Sequence, residues 1–266
     1  MTSVSPLVRS AEQHIELDRD GAVAQVTVNR PEAHNAMTEA MRLRLTEVFR
    51  ALADERDVRV VVLRGAGGKS FVSGADIAEF SQQRTTEDFV AVARRDEELY
   101  RTMEALPQPT VAVIEGYAIG GGLMLAAICD LRICSDDSKL GITSAKSLGN
   151  CLSPGMYRRL TALLGPARLK ELLICSELIP ADRALQWGLV NEVVARAGLD
   201  QRVTELTERL ATHAPLTMWA AKEAVRRLAE GEAGGEDIME TVLSSEDFKE
   251  GVTAFLEKRK PRWQNR

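Results

Sequence analysis

The chain has 266 residues, 45% of them hydrophobic and 27% charged, with a formal net charge of −5. This composition is that of a globular protein rather than a disordered one, and the net negative charge argues against a nucleic-acid binder that relies on an overall basic surface. No apolar run approaches the length of a membrane-spanning helix, and residues 1–13 lack the apolar stretch of a secretory signal, so we expect a cytoplasmic protein that binds neither nucleic acid nor membrane.

Strand and helix patterns alternate in the first part of the chain. Strands are predicted at residues 14–18, 22–29, 58–63, 110–114 and 131–134, with a hairpin turn at Asp20-Gly21. Helices are predicted from Thr38, at residues 86–106 and at residues 121–129. The runs at 58–63 and 110–114 are almost wholly apolar, which is typical of parallel strands buried on both faces. The alternation predicts an α/β fold with right-handed crossovers and a mostly parallel sheet.

Only helical patterns remain after residue 195. Four helices are predicted, at residues 199–212, 215–229, 236–243 and 246–260. This segment is too short to bury its apolar faces alone, so it is expected to pack on the core, on a second subunit or on both. We therefore divide the chain into a core, residues 1–195, and a helical C-terminal region, residues 196–266.

Cysteines and histidines give no sign of a metal site. Cys129, Cys134, Cys151 and Cys175 form no Cys-x-x-Cys pair, and the three histidines are scattered. The expected state of the cysteines is that of reduced, buried thiols. No zinc site is predicted.

Two glycine-punctuated segments stand out, residues 71–77 (FVSGADI) and residues 116–124 (GYAIGGGLM). Each is predicted at a turn from a strand into a helix, where glycine lets the backbone approach a ligand. The first amides of a helix have no partner within the helix and carry the positive end of its dipole. The amide of Ala75 and the first amides of the helix that starts among Gly120, Gly121 and Gly122 could thus converge on one carbonyl oxygen as an oxyanion hole. The alternative is that both are tight turns needed for packing.

Four stretches, residues 28–37 (VNRPEAHNAM), 71–77, 116–130 and 246–260, follow one another at spacings that resemble the crotonase superfamily, the enoyl-CoA hydratase/isomerase family. The resemblance covers nearly the whole chain. It implies a crotonase-like spiral of β-β-α units with a C-terminal helical region that forms trimers, often paired into hexamers.

The resemblance also implies a ligand and the residues that hold it. The ligand is an acyl-CoA thioester, with coenzyme A as part of the substrate and with no separate cofactor or metal. The amides of Ala75 and Gly121 match the two family positions that bind the thioester oxygen. Contacts with coenzyme A are implied for Ala33, His34, Ala36, Asp76, Ile77, Ala78 and Lys258, the last in some relatives from an adjacent subunit.

The sequence departs from the family at the positions that move protons. Typical hydratases carry two glutamates, which align with Met124 and Ser144 here, and residues 138–170 contain no Asp or Glu. Hydration needs a base to activate water and an acid to protonate the α-carbon. Met124 and Ser144 therefore occupy the catalytic positions without the usual chemistry, and non-standard acid/base groups are expected.

Several side chains near these segments are alternatives for the missing groups. They are Lys146, Cys151, Tyr117, Ser147 and Glu79. Each also has an ordinary interpretation: a solvated surface residue for Lys146 and Glu79, and a buried thiol for Cys151. Three functions stay open: an enoyl-CoA hydratase or isomerase with non-standard groups, which we prefer; another acyl-CoA enzyme such as a hydrolase, decarboxylase or C–C lyase; and an acyl-CoA-binding protein without activity.

Overall fold

The computed structural model of the protein describes residues 14–80, 85–232 and 234–266. The prediction about a secretory signal concerns residues 1–13, which lie outside the described residues. Among the helices of the described segments, none is long and apolar enough to cross a membrane.

The secondary structure follows the alternation that the sequence predicts. The strands are β1 (Ile15–Asp20), β2 (Val23–Val28), β3 (Val60–Gly65), β4 (Ser70–Val72), β5 (Thr110–Ile114), β6 (Tyr117–Ile119), β7 (Leu131–Ser135), β8 (Lys139–Gly141), β9 (Ile179–Pro180) and β10 (Glu192–Val194). The helices are α1 (Glu39–Ala53), α2 (Ile77–Phe80), α3 (Thr86–Glu104), α4 (Gly121–Ile128), α5 (Ser144–Ser147), α6 (Pro154–Cys175), α7 (Ala181–Gln186), α8 (Leu199–Ala211), α9 (Pro215–Glu230), α10 (Glu236–Leu243) and α11 (Glu246–Leu256).

The strands form two sheets, and strands β3 to β8 alternate between them along the chain. One sheet has the order β1-β2-β3-β5-β7-β10, and the other has the order β4-β6-β8-β9. Neighbouring strands are parallel except for the pairs β1/β2 and β8/β9. The pairs β3-β4, β5-β6 and β7-β8 each place one strand in each sheet before a helix follows. The chain therefore forms the expected α/β spiral of β-β-α units, followed by helices.

The apolar runs at β3 and β5 are buried on both faces, as predicted. Alternate side chains of these strands pack in the main core with α1, α3 and α4. The other side chains pack under α8 in a second cluster, which comprises Val60, Val62, Val111, Val113, Ile133, Leu199, Val203 and Leu206. A strand covered on both faces needs apolar residues at every position, which explains the continuous runs.

Several element boundaries differ from the predicted ones. The hairpin pairs Asp20 with Val23, so its turn is Gly21-Ala22 rather than Asp20-Gly21, and Gly21 has a φ of 55°. The last helix ends at Leu256, and Lys258 has a φ of 55°. A left-handed residue cannot continue an α-helix, so the predicted helix to residue 260 is four residues too long.

The sequence patterns did not predict the second sheet or α6. The strands of that sheet have two or three residues each, which is too few to show a period of two. In α6 the regular pattern is interrupted at Gly165, which has a φ of 73°, and at Pro166. Short elements and a kinked helix thus lack the periodic signal on which the predictions rest.

The packing of α4 on β4 generates a stability prediction. A Cβ built on Gly122 would lie 1.9 Å from the backbone oxygen of Val72, so we expect Gly122→Ala to lower the free energy of unfolding by about 2 kcal/mol or more. Urea denaturation followed by circular dichroism measures this change. Gly198→Ala is the control, because its Cβ would meet only Val194 Cγ1 at 3.6 Å. Equal losses in the two variants would contradict the prediction.

Candidate active site

Both glycine segments lie where a strand of the second sheet turns into a helix. The parallel neighbours β4 and β6 lead into α2 and α4. Gly74 has a φ of 110° and Gly120 a φ of 55°, a region in which glycine avoids the steric cost of a Cβ. Because parallel strands end at the same edge of a sheet, the two turns lie side by side.

The backbone amides of Ala75 and Gly121 are brought together by these turns. A Cβ built on Gly121 would lie 4.0 Å from the Ala75 nitrogen. Gly121 is the first residue of α4, so its N–H has no partner in its own helix. Met37 N donates to Gly74 O (2.9 Å) and Asp76 N donates to Met37 O (3.0 Å). Since neighbouring amides of an extended strand point in opposite directions, the N–H of Ala75 points away from Met37.

A buried arginine holds the segment that pairs with Ala75. Arg42 Nη1 donates to Met37 O (2.7 Å), and Arg42 Nε lies 3.0 Å from Asp96 Oδ1. Burial raises the pKa of Asp96, although the charge of Arg42 acts against this. Arg42 thereby fixes the carbonyl that receives the Asp76 amide, next to Ala75.

Glu79 is partly buried and hydrogen-bonded rather than a freely solvated surface residue, so that interpretation was wrong. Its carboxylate accepts hydrogen bonds from Glu39 N at 2.8 and 3.1 Å, and it lies 3.5 Å from Arg42 Nη2. A carboxylate at a helix N-terminus satisfies amides that have no partner in the helix. Glu79 thus ties α2 to the start of α1.

The predicted coenzyme A contacts in the first loop lie against the first glycine segment. Ala33, His34 and Ala36 follow β2, and His34 O accepts the amide of Ser73 (3.2 Å). His34 has an exposed side chain and a φ of 52°. The structure therefore brings these three residues together with the Ala75 segment, and their contact with coenzyme A stays a prediction.

Asp76 is held by Arg30. Arg30 Nη1 donates to Asp76 Oδ2 (2.7 Å), and Ala78 N donates to Asp76 Oδ1 (3.0 Å). The Arg30 hydrogen bond lowers the pKa of Asp76 below its ordinary value. Ile77 and Ala78 are exposed. Asp76 is thus an anion in a fixed position at the start of α2.

Lys258 follows the last helix, α11, and is far from both glycine segments along the chain. Its amide donates to Phe255 O (3.2 Å) in the turn after α11, and its residue is exposed. Among the described contacts of the chain, none joins Lys258 to Ala33, His34 or Ala36. A role of Lys258 in binding coenzyme A therefore stays a prediction.

Met124 and Ser144, the predicted catalytic positions, lie near the glycine turn. Met124 is on the first turn of α4, its amide donates to Gly120 O (3.1 Å), and its side chain is fully buried in the core. Ser144 begins α5 and is half-buried. The hydrogen bond from Gly120 N to Gly141 O (2.9 Å) holds the end of β8 beside the glycine turn, three residues before Ser144. Neither side chain can exchange a proton near neutral pH.

The cysteines divide into two classes. Cys129 and Cys134 are buried as predicted, whereas Cys151 and Cys175 are exposed, so the prediction of buried thiols was wrong for these two. Cys151 lies in the irregular segment between α5 and α6, and Cys175 is the last residue of α6. Burial raises the pKa of Cys129 and of Cys134 to about 12 in each case.

A buried cluster between α3 and α6 escaped the sequence predictions. Arg159 of α6 is 7% exposed and binds two carboxylates of α3, Glu97 (2.8 and 2.9 Å) and Glu104 (2.6 and 2.7 Å). Glu97 and Glu104 are seven residues apart, which places them on one helix face. This spacing, on a helix that the sequence already predicted, was the signal that could have revealed them.

Metal binding finds no support in the described part of the chain, where no three His, Cys, Asp or Glu residues are grouped around one point. The two adjacent amides and the half-buried Ser144 are polar groups that the site offers to a ligand.

Comparison with known proteins decides the family. The sequence model of the enoyl-CoA hydratase/isomerase family matches residues 18–266. A short-chain-enoyl-CoA hydratase of Clostridium acetobutylicum is 36% identical over 93% of this chain and 96% of its own. The chain belongs to the enoyl-CoA hydratase/isomerase family.

Two further relatives support this membership. A crotonyl-CoA hydratase of Syntrophomonas wolfei is 34% identical to this family member, over 94% of this chain and 97% of the relative. The crystal structure of an enoyl-CoA hydratase/carnithine racemase from Magnetospirillum magneticum has a TM-score of 0.90 and 35% identity, over 95% of this chain and 96% of that one. The predicted crotonase-like fold and the resemblance on which it rested are confirmed.

The contrast among the cysteines of this enoyl-CoA hydratase/isomerase family member is testable. We expect Cys151 and Cys175 to be alkylated by iodoacetamide in the folded protein, because they are exposed, and Cys129 and Cys134 only after unfolding, because burial raises their pKa. Mass spectrometry of the peptides gives the rate at each site. Cys151→Ser is the control and should remove one fast site. Rapid alkylation of Cys129 in the folded protein would contradict the structure.

Proposed function

We propose that the protein is an acyl-CoA thioester enzyme of the enoyl-CoA hydratase/isomerase type. The observation that carries the proposal is the adjacency of the Ala75 and Gly121 amides, in turns that leave both N–H groups without a partner in their own segments. The proposed task of these two donors is to bind the thioester oxygen and to stabilise the enolate that forms when the acyl α- or β-carbon reacts.

The chemistry of a thioester enolate fits such a pair of donors. Negative charge develops on one oxygen, and fixed donors aimed at that oxygen stabilise the transition state more than the ground state. The N-terminus of α4 adds the positive end of a helix dipole at the same point. Backbone amides hold their positions without moving during the reaction, which is why they serve better than mobile side chains.

Coenzyme A is proposed to bind as part of the substrate, with no separate cofactor. The loop of Ala33, His34 and Ala36 lies next to the Ala75 segment and supports a place for the pantetheine arm there. The proposed role of Lys258 is to bind a phosphate of coenzyme A that is held by an adjacent subunit.

The named relatives favour hydration among the reactions of this family. The two relatives from Clostridium and Syntrophomonas are a short-chain-enoyl-CoA hydratase and a crotonyl-CoA hydratase, so a lyase that adds water to a short 2-enoyl thioester is our first choice and an isomerase our second. Non-standard acid/base groups are part of the proposal, because Met124 and Ser144 cannot exchange protons. The full burial of Met124 in the core favours one alternative function, binding of acyl-CoA without turnover.

A panel of thioesters separates these functions. The purified protein is incubated with enoyl-, saturated acyl- and malonyl-type CoA thioesters, products are followed by mass spectrometry, and binding is measured by calorimetry. We expect hydration of crotonyl-CoA. Binding at micromolar concentration with no product from any thioester would replace the enzyme by the binding protein, and products of hydrolysis or decarboxylation alone would replace hydration by that reaction.

Removal of one amide tests the oxyanion hole. In Gly121→Pro the donor is lost at the first position of a helix, where proline is well tolerated, so we expect the fold to persist and kcat to fall about 100- to 1,000-fold. Gly121→Ala keeps the amide, and its Cβ would meet nothing closer than 3.9 Å, so its loss should be much smaller. Steady-state kinetics with circular dichroism decides, and equal activity of a folded Gly121→Pro variant would refute the role of this amide.

A homotrimer or a dimer of trimers is proposed as the assembly. One face of α11 exposes Phe248, Val252, Phe255 and Leu256, which are 44%, 47%, 83% and 75% exposed. An apolar stripe of this kind on a helix is typical of an interface.

Light scattering tests the assembly. We expect a mass of three or six times 29.2 kDa for the wild type and a lower mass for Phe255→Glu, because a charge on this face opposes burial. Leu17→Glu, at another exposed apolar residue, is the matched control and should keep the wild-type mass. A monomeric wild type would end this proposal.

A further inference from the structure

A carboxylate of α3 lies against the start of α6, the helix that follows Ser144 and the loop after it. Residues 138–170 contain no Asp or Glu, yet Glu97 of α3 lies against the first turn of α6. A Cβ built on Gly155 would lie only 2.4 Å from Glu97 Oε2. Gly155 lies two residues after Ser153, the N-cap of α6, so Glu97 contacts the first turn of the helix that ends the segment 144–153.

The segment 144–153, which comprises α5 and the loop before α6, starts near the glycine turn and ends at α6. At its start, the hydrogen bond between Gly120 N and Gly141 O holds the chain beside Gly121. At its end, Met156 of α6 packs in one core cluster with Met124 of α4 and with Leu99 of α3. The helix α4, which begins with Gly121, packs on both α3 and α6, and Glu97 lies where α3 contacts α6 through Arg159.

The surroundings of Glu97 keep it ionised and fixed. Burial acts to raise its pKa, but the hydrogen bonds and charges of Arg159 and Arg101 outweigh burial, so the pKa lies below its ordinary value. The groups that face it are Arg159 from α6, which also binds Glu104, and Arg101 and Tyr100 from α3. Burial raises the pKa of Tyr100, so the phenol is neutral. The Glu97 side chain is 22% exposed, so it is not sealed from solvent.

We propose that Glu97 is the carboxylate that activates water in this site, an inference that rests on the proposed function. A water bound to Glu97 gives up a proton to the carboxylate while its oxygen forms a bond to the β-carbon of a 2-enoyl thioester. The π electrons of the double bond move to the thioester oxygen, where the amides of Ala75 and Gly121 stabilise the enolate. The proton then passes from Glu97 to the α-carbon, the carboxylate is regenerated, and one water has been added across the double bond.

One base that first accepts and then returns a proton accounts for hydration without groups at Met124 and Ser144. Arg159 holds the carboxylate in one orientation through two charge-assisted hydrogen bonds. A bound acyl chain excludes solvent from the exposed edge of Glu97, and loss of solvent makes a carboxylate more basic.

A matched pair of variants tests the proposal. Glu97→Gln and Glu104→Gln each remove one carboxylate from the same arginine and keep the shape of the side chain. With crotonyl-CoA as the probe, and hydration followed by loss of the enoyl absorbance, we expect Glu97→Gln to lower kcat about 100-fold or more, with KM changed by less than about threefold. Glu104→Gln should lower kcat by less than about fivefold, since Glu104 lies about two turns further along α3.

The pH profile adds a readout that a purely structural role would not change. The wild type is active while Glu97 is ionised, so its kcat should fall as the pH falls through the pKa of Glu97 in the complex. The residual activity of Glu97→Gln should lack this acidic limb, and Glu104→Gln should keep it. Melting temperatures of both variants establish that the fold persists.

A second variant moves Glu97 without replacing it. In Gly155→Ala the new Cβ would lie 2.4 Å from Glu97 Oε2 and 2.9 Å from Arg159 Nη1, so the carboxylate has to shift, while alanine favours the helix. We expect kcat to fall at least about tenfold with the acidic limb displaced.

The outcomes separate the two proposals. If the wild type hydrates crotonyl-CoA and the two glutamine variants lose equal activity, or if Glu97→Gln keeps the acidic limb, the assignment of Glu97 is wrong and the proposed function stands. If the wild type binds thioesters and converts none of the panel, both proposals are wrong.

Discussion

The close approach of backbone to backbone between β4 and α4 is the constraint on which the site depends. A Cβ on Gly122 would lie 1.9 Å from the Val72 oxygen, so α4 can begin where it does only if this residue has no side chain. The same approach places the amide of Gly121 beside that of Ala75. Any residue larger than glycine at position 122 would separate the two turns, and the two donors would then no longer face one point.

Three arginines extend this arrangement into the rest of the fold. Arg30 holds Asp76, Arg42 holds the carbonyl of Met37, and Arg159 joins α3 to α6. Each is paired with carboxylates in a partly buried place, where an unpaired charge would be costly. Paired charges of this kind define positions more than they add stability. Their effect here is that the segments around Ala75 and around Gly155 have one arrangement rather than several.

Sequence patterns predicted the longer strands and the regular helices. The strand at Thr110–Ile114 and the helix at Glu236–Leu243 have the predicted bounds, because continuous apolar runs and amphipathic periods report directly on burial. The short strands of the second sheet carry no period, and their pairing depends on partners that are far away in the chain. The expectations for Glu79 and Cys151 failed for a related reason. The polarity of a side chain indicates its preference for solvent, but the neighbouring elements decide whether it is buried. The start of α1 binds Glu79, and no element of the described segments covers Cys151, which is exposed.

By itself, the sequence determined the fold family, the two glycine segments and the candidate donors Ala75 and Gly121. The reason is that the freedom of glycine to adopt a positive φ at a turn from strand to helix is a property of that residue alone. It also determined that Met124 and Ser144 cannot move protons, since that is a property of the side chains alone. Only the tertiary structure decided which carboxylate lies against the first turn of α6. Glu97 and Gly155 are far apart in the chain, and no local pattern specifies that α3 and α6 pack face to face around Arg159.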